Sequence, residues 1–303
     1  MPLELNVAMG QSQGRRNYQE DRCEFKRING GEQDGLLVVL ADGMGGHAAG
    51  AEAAELAVET FVLTADRNQH DAPNYFLQAL DACNRAIGSE ASKDSKKEGM
   101  GCTLIGAHIS KNSLIWISVG DSLLLVFRDG KISRLNADHS MAPQLDAAAK
   151  RGEITWKEAK NSSSRNALLS AVNGGPIDHV DQPAKSYQLN ESDWLIIASD
   201  GLDTLEMNEI ENILCTSHDL PASKIVEILL DQVETKKISD QDNTSVVALN
   251  WSDKNANATT DEMVTVPIKT RRYPSKKRED NKVAYVVLGL IFLISVIGIA
   301  LIA

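Results

Sequence analysis

The chain has 303 residues, enough for one large hydrophobic core, and a formal net charge of −11. So acidic a chain is not a typical duplex nucleic-acid binder, because that affinity depends on Lys and Arg side chains. The four cysteines are widely separated and form no C-x-x-C pair, which disfavours a zinc site or a disulfide framework and fits reduced thiols in a cytosol.

Hydrophobic periodicity and turn residues predict the secondary structure. In chain order they predict strands at 3–10, 21–27 and 35–41, helices at 48–66 and 73–91, strands at 102–109, 114–119, 123–128 and 131–135, helices at 141–151 and 156–160, strands at 187–189 and 194–198, helices at 206–215 and 221–236, and a strand at 244–251. Asn29-Gly30-Gly31 and Asp129-Gly130 are typical of hairpin turns. Hairpins interrupted by helix pairs predict an α+β fold with antiparallel sheets.

Three aspartates stand at the ends of apolar strands. Asp42 and Asp200 each follow an apolar run and precede a glycine, and Asp242 begins the closing strand. Asp-Gly is common in turns, so a structural role is the alternative for each copy alone. Buried carboxylates are costly and repel one another, which favours a cation among them. An oxygen-only ligand set predicts Mg²⁺ or Mn²⁺ rather than Zn²⁺.

A dinucleotide-binding fold is an alternative for the glycine-rich turn. Gly43-Met44-Gly45-Gly46 follows a strand and matches part of a G-x-G-x-x-G fingerprint. Asp42 would repel the pyrophosphate there, and the downstream chain lacks repeated β-α-β units. This alternative is rejected.

The segment 15–21, with the sequence RRNYQED, adds both charges that a phosphate site requires. The planar guanidinium of Arg16 can bind a phosphate, and Glu20 and Asp21 add carboxylates just before a strand. Taken alone, the segment would be read as a solvated charged turn.

Together these residues resemble the metal-dependent Ser/Thr protein phosphatases of the type 2C or PPM family, from about Leu5 to Trp251. The resemblance depends on seven motifs in the family's order, and the wording of the second is most similar to bacterial members. The motifs are RNYQED at 16–21, VLADGMGGH at 39–47, GCT at 101–103, VGDS at 119–122, DHS at 138–140, SDG at 199–201 and DNTS at 242–245.

This resemblance implies a central β-sandwich flanked by helix pairs, in four layers, with a two-metal centre at one end. Asp42 would bridge both ions, and Gly43 would offer its carbonyl oxygen. Asp200 and Asp242 would hold one ion of the pair. Asp21 would act mainly through metal-bound water.

The remaining roles are also implied by the resemblance. Arg16 would clamp the substrate phosphate, and Glu20 would support the centre from outside the ligand set. Asp121 matches the carboxylate that, with Asp200, holds a third, looser ion in bacterial members. The implied cofactors are therefore two Mn²⁺ or Mg²⁺ ions, with a third where that site is filled.

The sequence departs from the family pattern around these motifs. Leu123 follows Ser122 where many members have Arg, and Met44 stands where animal members have a proposed general-acid His. His47 could protonate the leaving group, and a loop or helix-capping His is the alternative. Residues 145–175 should form the variable flap, where Ser162-Ser163-Ser164-Arg165 could touch substrate or form a solvated loop.

The end of the chain has a different composition. Residues 253–282 are polar and aperiodic, which predicts a flexible basic linker after a phosphatase domain at 1–252. Residues 283–303 carry no charge, would span about 32 Å as a helix, and predict one transmembrane helix rather than a buried core helix. Seven Lys and Arg between Pro267 and Lys282 are expected on the cytoplasmic side, with the catalytic domain in the cytosol.

The leading hypothesis is a membrane-anchored Ser/Thr phosphatase that acts on phosphorylated proteins and opposes a cognate Ser/Thr kinase. The alternative is a weakly active or inactive module of the same fold that binds partners at the membrane. The presence of Asp42, Asp200 and Asp242 favours the enzyme. A third hypothesis keeps the chemistry but has a small phosphorylated molecule as substrate.

Overall fold

The computed structural model describes residues 5–28, 35–45, 48–68, 75–251 and 264–265. The helices of this part are Ala48–Asn68 (α1), Tyr75–Ala91 (α2), Ala142–Lys150 (α3), Trp156–Asn161 (α4), Met207–Ser217 (α5) and Ala222–Thr235 (α6). Its strands are Leu5–Ser12 (β1), Arg22–Ile28 (β2), Gly35–Ala41 (β3), Gly43–Met44 (β4), Gly101–Cys102 (β5), Leu104–Ser110 (β6), Ser113–Val119 (β7), Leu123–Arg128 (β8), Lys131–Arg134 (β9), Tyr187–Gln188 (β10), Trp194–Ala198 (β11), Thr244–Trp251 (β12) and Val264–Thr265 (β13).

The strands form two main sheets. One has the order β13-β1-β12-β11-β8-β9 and the other the order β10-β7-β6-β3-β2, while β4 and β5 pair as a separate ribbon. Within the described part of the chain every strand pair is antiparallel except β1 with β13. The predicted α+β fold with antiparallel sheets is confirmed.

Burial on both faces explains why the central strands are apolar at every position. In β3, Leu36, Val38 and Leu40 lie in the core between the two sheets, whereas Leu37 and Val39 pack on the opposite face with α1 and α2. Successive side chains of a strand point to opposite faces, so a strand covered twice is hydrophobic throughout. In the other sheet, β11 alternates in the same way between the inner core and the layer of α5 and α6. The result is the predicted four-layer order, helix–sheet–sheet–helix.

Most predicted elements are found within a few residues of their expected ends. The strands predicted at 35–41, 123–128, 194–198 and 244–251 have the expected bounds. Asp129 and Gly130 have φ angles of 51° and 77°, as a two-residue hairpin turn of mirror-image type requires. The turn predicted at 29–31 lies outside the described residues.

The strand predicted at 102–109 is in fact interrupted. Gly101–Cys102 pairs with Gly43–Met44, and only from Ile105 onward does the chain pair with β3. The interruption arises because Thr103 contacts Asp42, where β3 has just ended: its N–H donates to the carbonyl oxygen of Asp42 at 2.9 Å. This break places the Thr103 side chain beside the candidate site.

After β12 the structure describes two residues only. Val264 and Thr265, within the stretch predicted as a flexible basic linker, pair in parallel with Ala8 and Met9 of β1, and the linker as a whole stays a prediction. Val and Thr are strand-favouring residues, and β1 offers them an open edge. The predicted transmembrane segment, 283–303, lies outside the described residues. Among the helices that are described, none has both the length and the apolar character needed to cross a bilayer.

Candidate active site

A cavity of about 410 Å³ brings together widely separated stretches of the chain. Its lining includes seven of the predicted site residues: Arg16, Glu20, Asp42, Gly43, Asp121, Asp200 and Asp242. The other lining residues, of which only Met44 was considered individually above, are Asn17, Tyr18, Met44, Gly45, Thr103, Asn166, Leu168 and Asn243. Asp21 is fully buried and is not among the lining residues, whereas His47 lies outside the described part of the chain.

Asp42 is held at the end of β3 by two hydrogen bonds to one residue. The backbone N–H of Asp42 donates to Thr103 Oγ1 at 3.1 Å, and Thr103 N–H donates back to the Asp42 carbonyl oxygen. Gly43 must be glycine here, because a Cβ would clash with the carbonyl oxygen of Gly50 in the first turn of α1. The apolar strand and the glycine together fix where the Asp42 carboxylate lies.

Asp200 and Asp242 are brought together by a close approach of two backbones. Asp200 begins a short 3₁₀ turn directly after β11, and Asp242 precedes β12, the strand that pairs with β11. A Cβ on Gly201 would clash with the carbonyl oxygen of Asn243, so glycine is required between the two carboxylates.

Asn243 fastens the Arg16 segment to the start of β12. Its side-chain amide donates to the carbonyl oxygens of Gln13 and Tyr18, both at 2.9 Å, and accepts from the Glu20 N–H at 2.8 Å. Arg16 Nη2 then donates to Asp242 Oδ2 at 2.5 Å. The phosphate-binding candidate therefore lies directly against one of the candidate metal ligands.

The carboxylates of the cluster raise one another's pKa values. Burial, followed by the nearby charges, raises the pKa of Asp42 and of Asp200 well above their ordinary value. Burial also raises the pKa of Asp21 to about 6, although hydroxyl donors from Ser199 and Ser245 oppose the shift. A cluster of this kind is stabilised by positive charge.

Asp121 lines the same cavity but has different charged neighbours. Burial and then the charge of Asp138 raise its pKa to about 6, while Arg134 opposes the shift. Arg134 Nη2 also donates to the carbonyl oxygens of Asp121 and Ser122, at 2.8 and 3.1 Å. Leu123, the departure from the family pattern, is buried in the core beside α5 and α6, so it does not reach the cavity.

The donor set fits a hard divalent ion. Oδ1 of Asp21 and Oδ1 of Asp200 are buried and have no hydrogen-bond partner among the described residues. Within that same part of the chain, no three His, Cys, Asp or Glu side chains are already close enough to hold one ion. Carboxylate and carbonyl oxygens are nevertheless the ligands that Mg²⁺ and Mn²⁺ prefer, and these ions commonly keep water as well.

The flap supplies two cavity residues that the sequence analysis missed. Asn166 and Leu168 line the cavity, whereas residues 162–165 do not. Arg165 instead forms a two-point ion pair with Asp146 of α3, at 2.7 and 3.0 Å. The sequence left residues 162–165 as either a substrate contact or a solvated loop, and the charge of Arg165 is used within the predicted flap.

An antiparallel four-layer sandwich with an acidic cavity at its strand ends is the architecture expected of metal-dependent protein phosphatases. The sequence profile of the family described as Protein phosphatase 2C matches residues 12–241. Protein phosphatase PhpP of Streptococcus pneumoniae is 29% identical over 222 residues, covering 72% of this chain and 87% of that protein. Serine/threonine phosphatase stp of Listeria welshimeri is 31% identical over 194 residues, covering 61% and 73%.

Solved structures agree with these sequence matches. The Mycobacterium tuberculosis serine/threonine phosphatase PstP/Ppp has a TM-score of 0.65 at 26% identity, over 82% of this chain and 99% of that one. The catalytic domain of PstP in complex with two manganese ions has a TM-score of 0.67 at 25% identity, over the same shares. This chain belongs to the protein phosphatase 2C family. It is a metal-dependent Ser/Thr protein phosphatase, as the motifs predicted.

Proposed function

We propose that this phosphatase uses two Mn²⁺ or Mg²⁺ ions, held by the acidic cavity, to hydrolyse phosphoserine and phosphothreonine in proteins, and that it opposes a cognate Ser/Thr kinase at a membrane. The observation that carries the metal centre is the cluster of buried carboxylates with unsatisfied oxygens. The PstP structure with two manganese ions supports the number of ions.

Five aspartates and one carbonyl group would hold or support the ions. Asp42 would serve both ions of the pair, and Gly43 would offer its carbonyl oxygen. Asp200 and Asp242 would hold one ion of the pair, and Asp21 would act mainly through water. Asp121 would share a third ion with Asp200. When bound, the ions would supply positive charge that acidifies a water and neutralises the substrate phosphate.

The chain's own residues then orient the substrate. Arg16 would release Asp242 and direct its planar N–H groups to the phosphate, where they stabilise charge that develops during hydrolysis. Asn243 keeps the Arg16 segment in place through its three backbone contacts. Glu20 lies on the cavity wall and would support the centre from outside the ligand set. None of the four cysteines is needed as a nucleophile.

The test is turnover of a phosphothreonine peptide by wild type and by Arg16→Ala, with Mn²⁺ present. Wild type should hydrolyse phosphothreonine and phosphoserine peptides in preference to a phosphotyrosine peptide. Arg16→Ala removes a charge-assisted contact, so kcat/KM should fall by roughly 10- to 150-fold, or about 1.5–3 kcal/mol. The exposed Arg151, which pairs with Glu153 on the surface, offers a matched control in Arg151→Ala.

Three outcomes would contradict the proposal. No turnover by wild type would favour the partner-binding module, and turnover of small phosphate esters alone would favour a small-molecule substrate. An unchanged kcat/KM in Arg16→Ala would leave Arg16 as a surface charge.

We also propose that residues 283–303 anchor the protein in the membrane with the catalytic domain in the cytosol. The full chain should stay with the membrane fraction after a carbonate wash, and a chain ending at residue 252 should be released. Replacing Ile291 and Leu293 by Lys should weaken insertion, since each charge near the centre of the bilayer costs about 2.5–3.5 kcal/mol. Protease added outside spheroplasts should leave the domain intact; its digestion would reverse the assigned orientation.

A further inference from the structure

Two serine hydroxyls from distant parts of the chain, one directly after β11 and one in β12, hold the carboxylate of Asp21. Ser199 Oγ and Ser245 Oγ each donate to Asp21 Oδ2 at 2.7 Å. All three residues are completely buried. Ser199 comes directly before Asp200, and Ser245 lies three residues after Asp242. These contacts join three of the segments that carry candidate ligands, those of Asp21, Asp200 and Asp242.

The direction of each hydrogen bond is fixed by its neighbours. Ser199 Oγ accepts from the Ser245 N–H at 2.9 Å, and Ser245 Oγ accepts from Gln11 Nε2 at 2.8 Å. An amide N–H can only donate, so both serine hydrogens remain for Asp21. Oδ2 of Asp21 therefore receives two donors, whereas its Oδ1 receives none from the described residues.

We infer that Ser199 and Ser245 are positioning residues that set the affinity for the divalent ions. By holding Oδ2 of Asp21, they keep Oδ1 available to an ion or to the water around it. Neither serine lines the cavity, so neither acts by touching the substrate. The inference rests on the proposed metal centre, and it assigns part of the ion affinity to side chains that are not themselves ligands.

A purely structural role is the competing explanation. Two buried hydroxyls beside a buried carboxylate would stabilise the fold whether or not an ion binds, because an unsatisfied carboxylate is costly in the interior. The two explanations differ in the quantity that a substitution changes. A structural role lowers the melting temperature of the metal-free protein, and a positioning role also lowers the ion affinity of the folded protein.

The test is calorimetric titration of the full-length chain, kept in detergent, with Mn²⁺. Ser199→Ala and Ser245→Ala should each weaken Mn²⁺ binding by about 10- to 100-fold, the usual range for groups that orient metal ligands. The double variant should lose less than the product of the two effects, because both hydroxyls serve one oxygen. Ser118→Ala is the control: it removes a buried hydroxyl whose hydrogen bond is to Asn136, and it should leave the affinity unchanged.

Ser245→Thr keeps the hydroxyl and should restore the affinity to within about threefold of wild type. Ser199→Ala tests the same inference if Ser245→Ala does not fold. Wild-type affinity in the Ala variants, together with a lower melting temperature without metal, would overturn this inference alone. Absence of Mn²⁺ binding by wild type would overturn the metal centre as well.

Discussion

Asp42→Asn should reduce kcat to near background at saturating Mn²⁺, a loss of about a thousandfold or more. Asp42 lies at the centre of the charge cluster: its pKa is raised by burial and then by the charges of Asp21, Asp200, Asp242 and Asp121. A carboxylate surrounded in this way is the one best placed to serve two ions. Its amide analogue keeps the shape but loses the charge that holds them.

Asp121→Asn is the matched comparison, and it should keep activity within about tenfold of wild type. The charges that act most on Asp121 are those of Asp138 and Arg134, which lie outside the proposed ligand set. The measurement is kcat for both variants at saturating Mn²⁺, with circular dichroism to confirm that both are folded. Equal, mild losses would contradict the central position of Asp42.

The sequence was sufficient to predict that Asp42 and Asp200 lie together at strand ends, and the structure, in which both line one cavity, explains why. Each follows a strand that is apolar at every position because it is covered on both faces. Each also precedes a glycine that another backbone segment approaches too closely for any side chain. Both signals are local, since they occupy fewer than ten consecutive residues.

The contacts that hold Asp21 and the Arg16 segment could not be predicted in the same way. Ser199 and Ser245 stand in the SDG and DNTS motifs, but their bonds to Asp21 span 178 and 224 positions of sequence, and no local pattern indicates such a partner. Asn243 belongs to a recognised motif, but its role depends on backbone groups of a loop more than 200 positions away. Such partners are defined by register between strands, which periodicity alone does not give.

The flap shows a different limit of sequence analysis. For residues 162–165 the sequence left open both a contact with substrate and a solvated loop. In the structure, the Arg165 guanidinium forms a two-point ion pair with the Asp146 carboxylate. Asn166 and Leu168 line the cavity instead. Whether Arg165 can reach a substrate depends on its ion pair with Asp146 in α3, and the sequence does not indicate that pairing.

Removal of the metal should abolish activity and also destabilise the domain, and the second effect should depend on pH. The pKa values of Asp21 and Asp121 are raised to about 6 in the folded protein, from an ordinary value of 3.8. A group with a raised pKa favours the folded state below its unfolded pKa, and this contribution is lost as pH rises through the folded value. The metal-free protein should therefore lose stability between about pH 4 and pH 7.

Bound Mn²⁺ should offset that loss, because positive charge relieves the repulsion between ionised carboxylates. An ion at a hundredfold excess over its Kd contributes about 2.7 kcal/mol, roughly 5–10 °C in melting temperature for a domain of this size. The increase in melting temperature on adding Mn²⁺, measured with and without EDTA, should be larger at pH 7.5 than at pH 5. Phosphatase activity with Mn²⁺ present should likewise be higher at pH 7.5 than at pH 5.

Asp42→Asn separates this effect from general stabilisation by a cation. Removing the central charge should raise the melting temperature of the metal-free protein at pH 7.5, because the remaining carboxylates then repel one another less. The same substitution should abolish most of the increase in melting temperature that Mn²⁺ causes. A variant that is more stable without metal and inactive with it would show that the carboxylate cluster lowers the stability of the metal-free fold. An equal Mn²⁺-dependent increase in wild type and Asp42→Asn would instead place the stabilising ion away from Asp42.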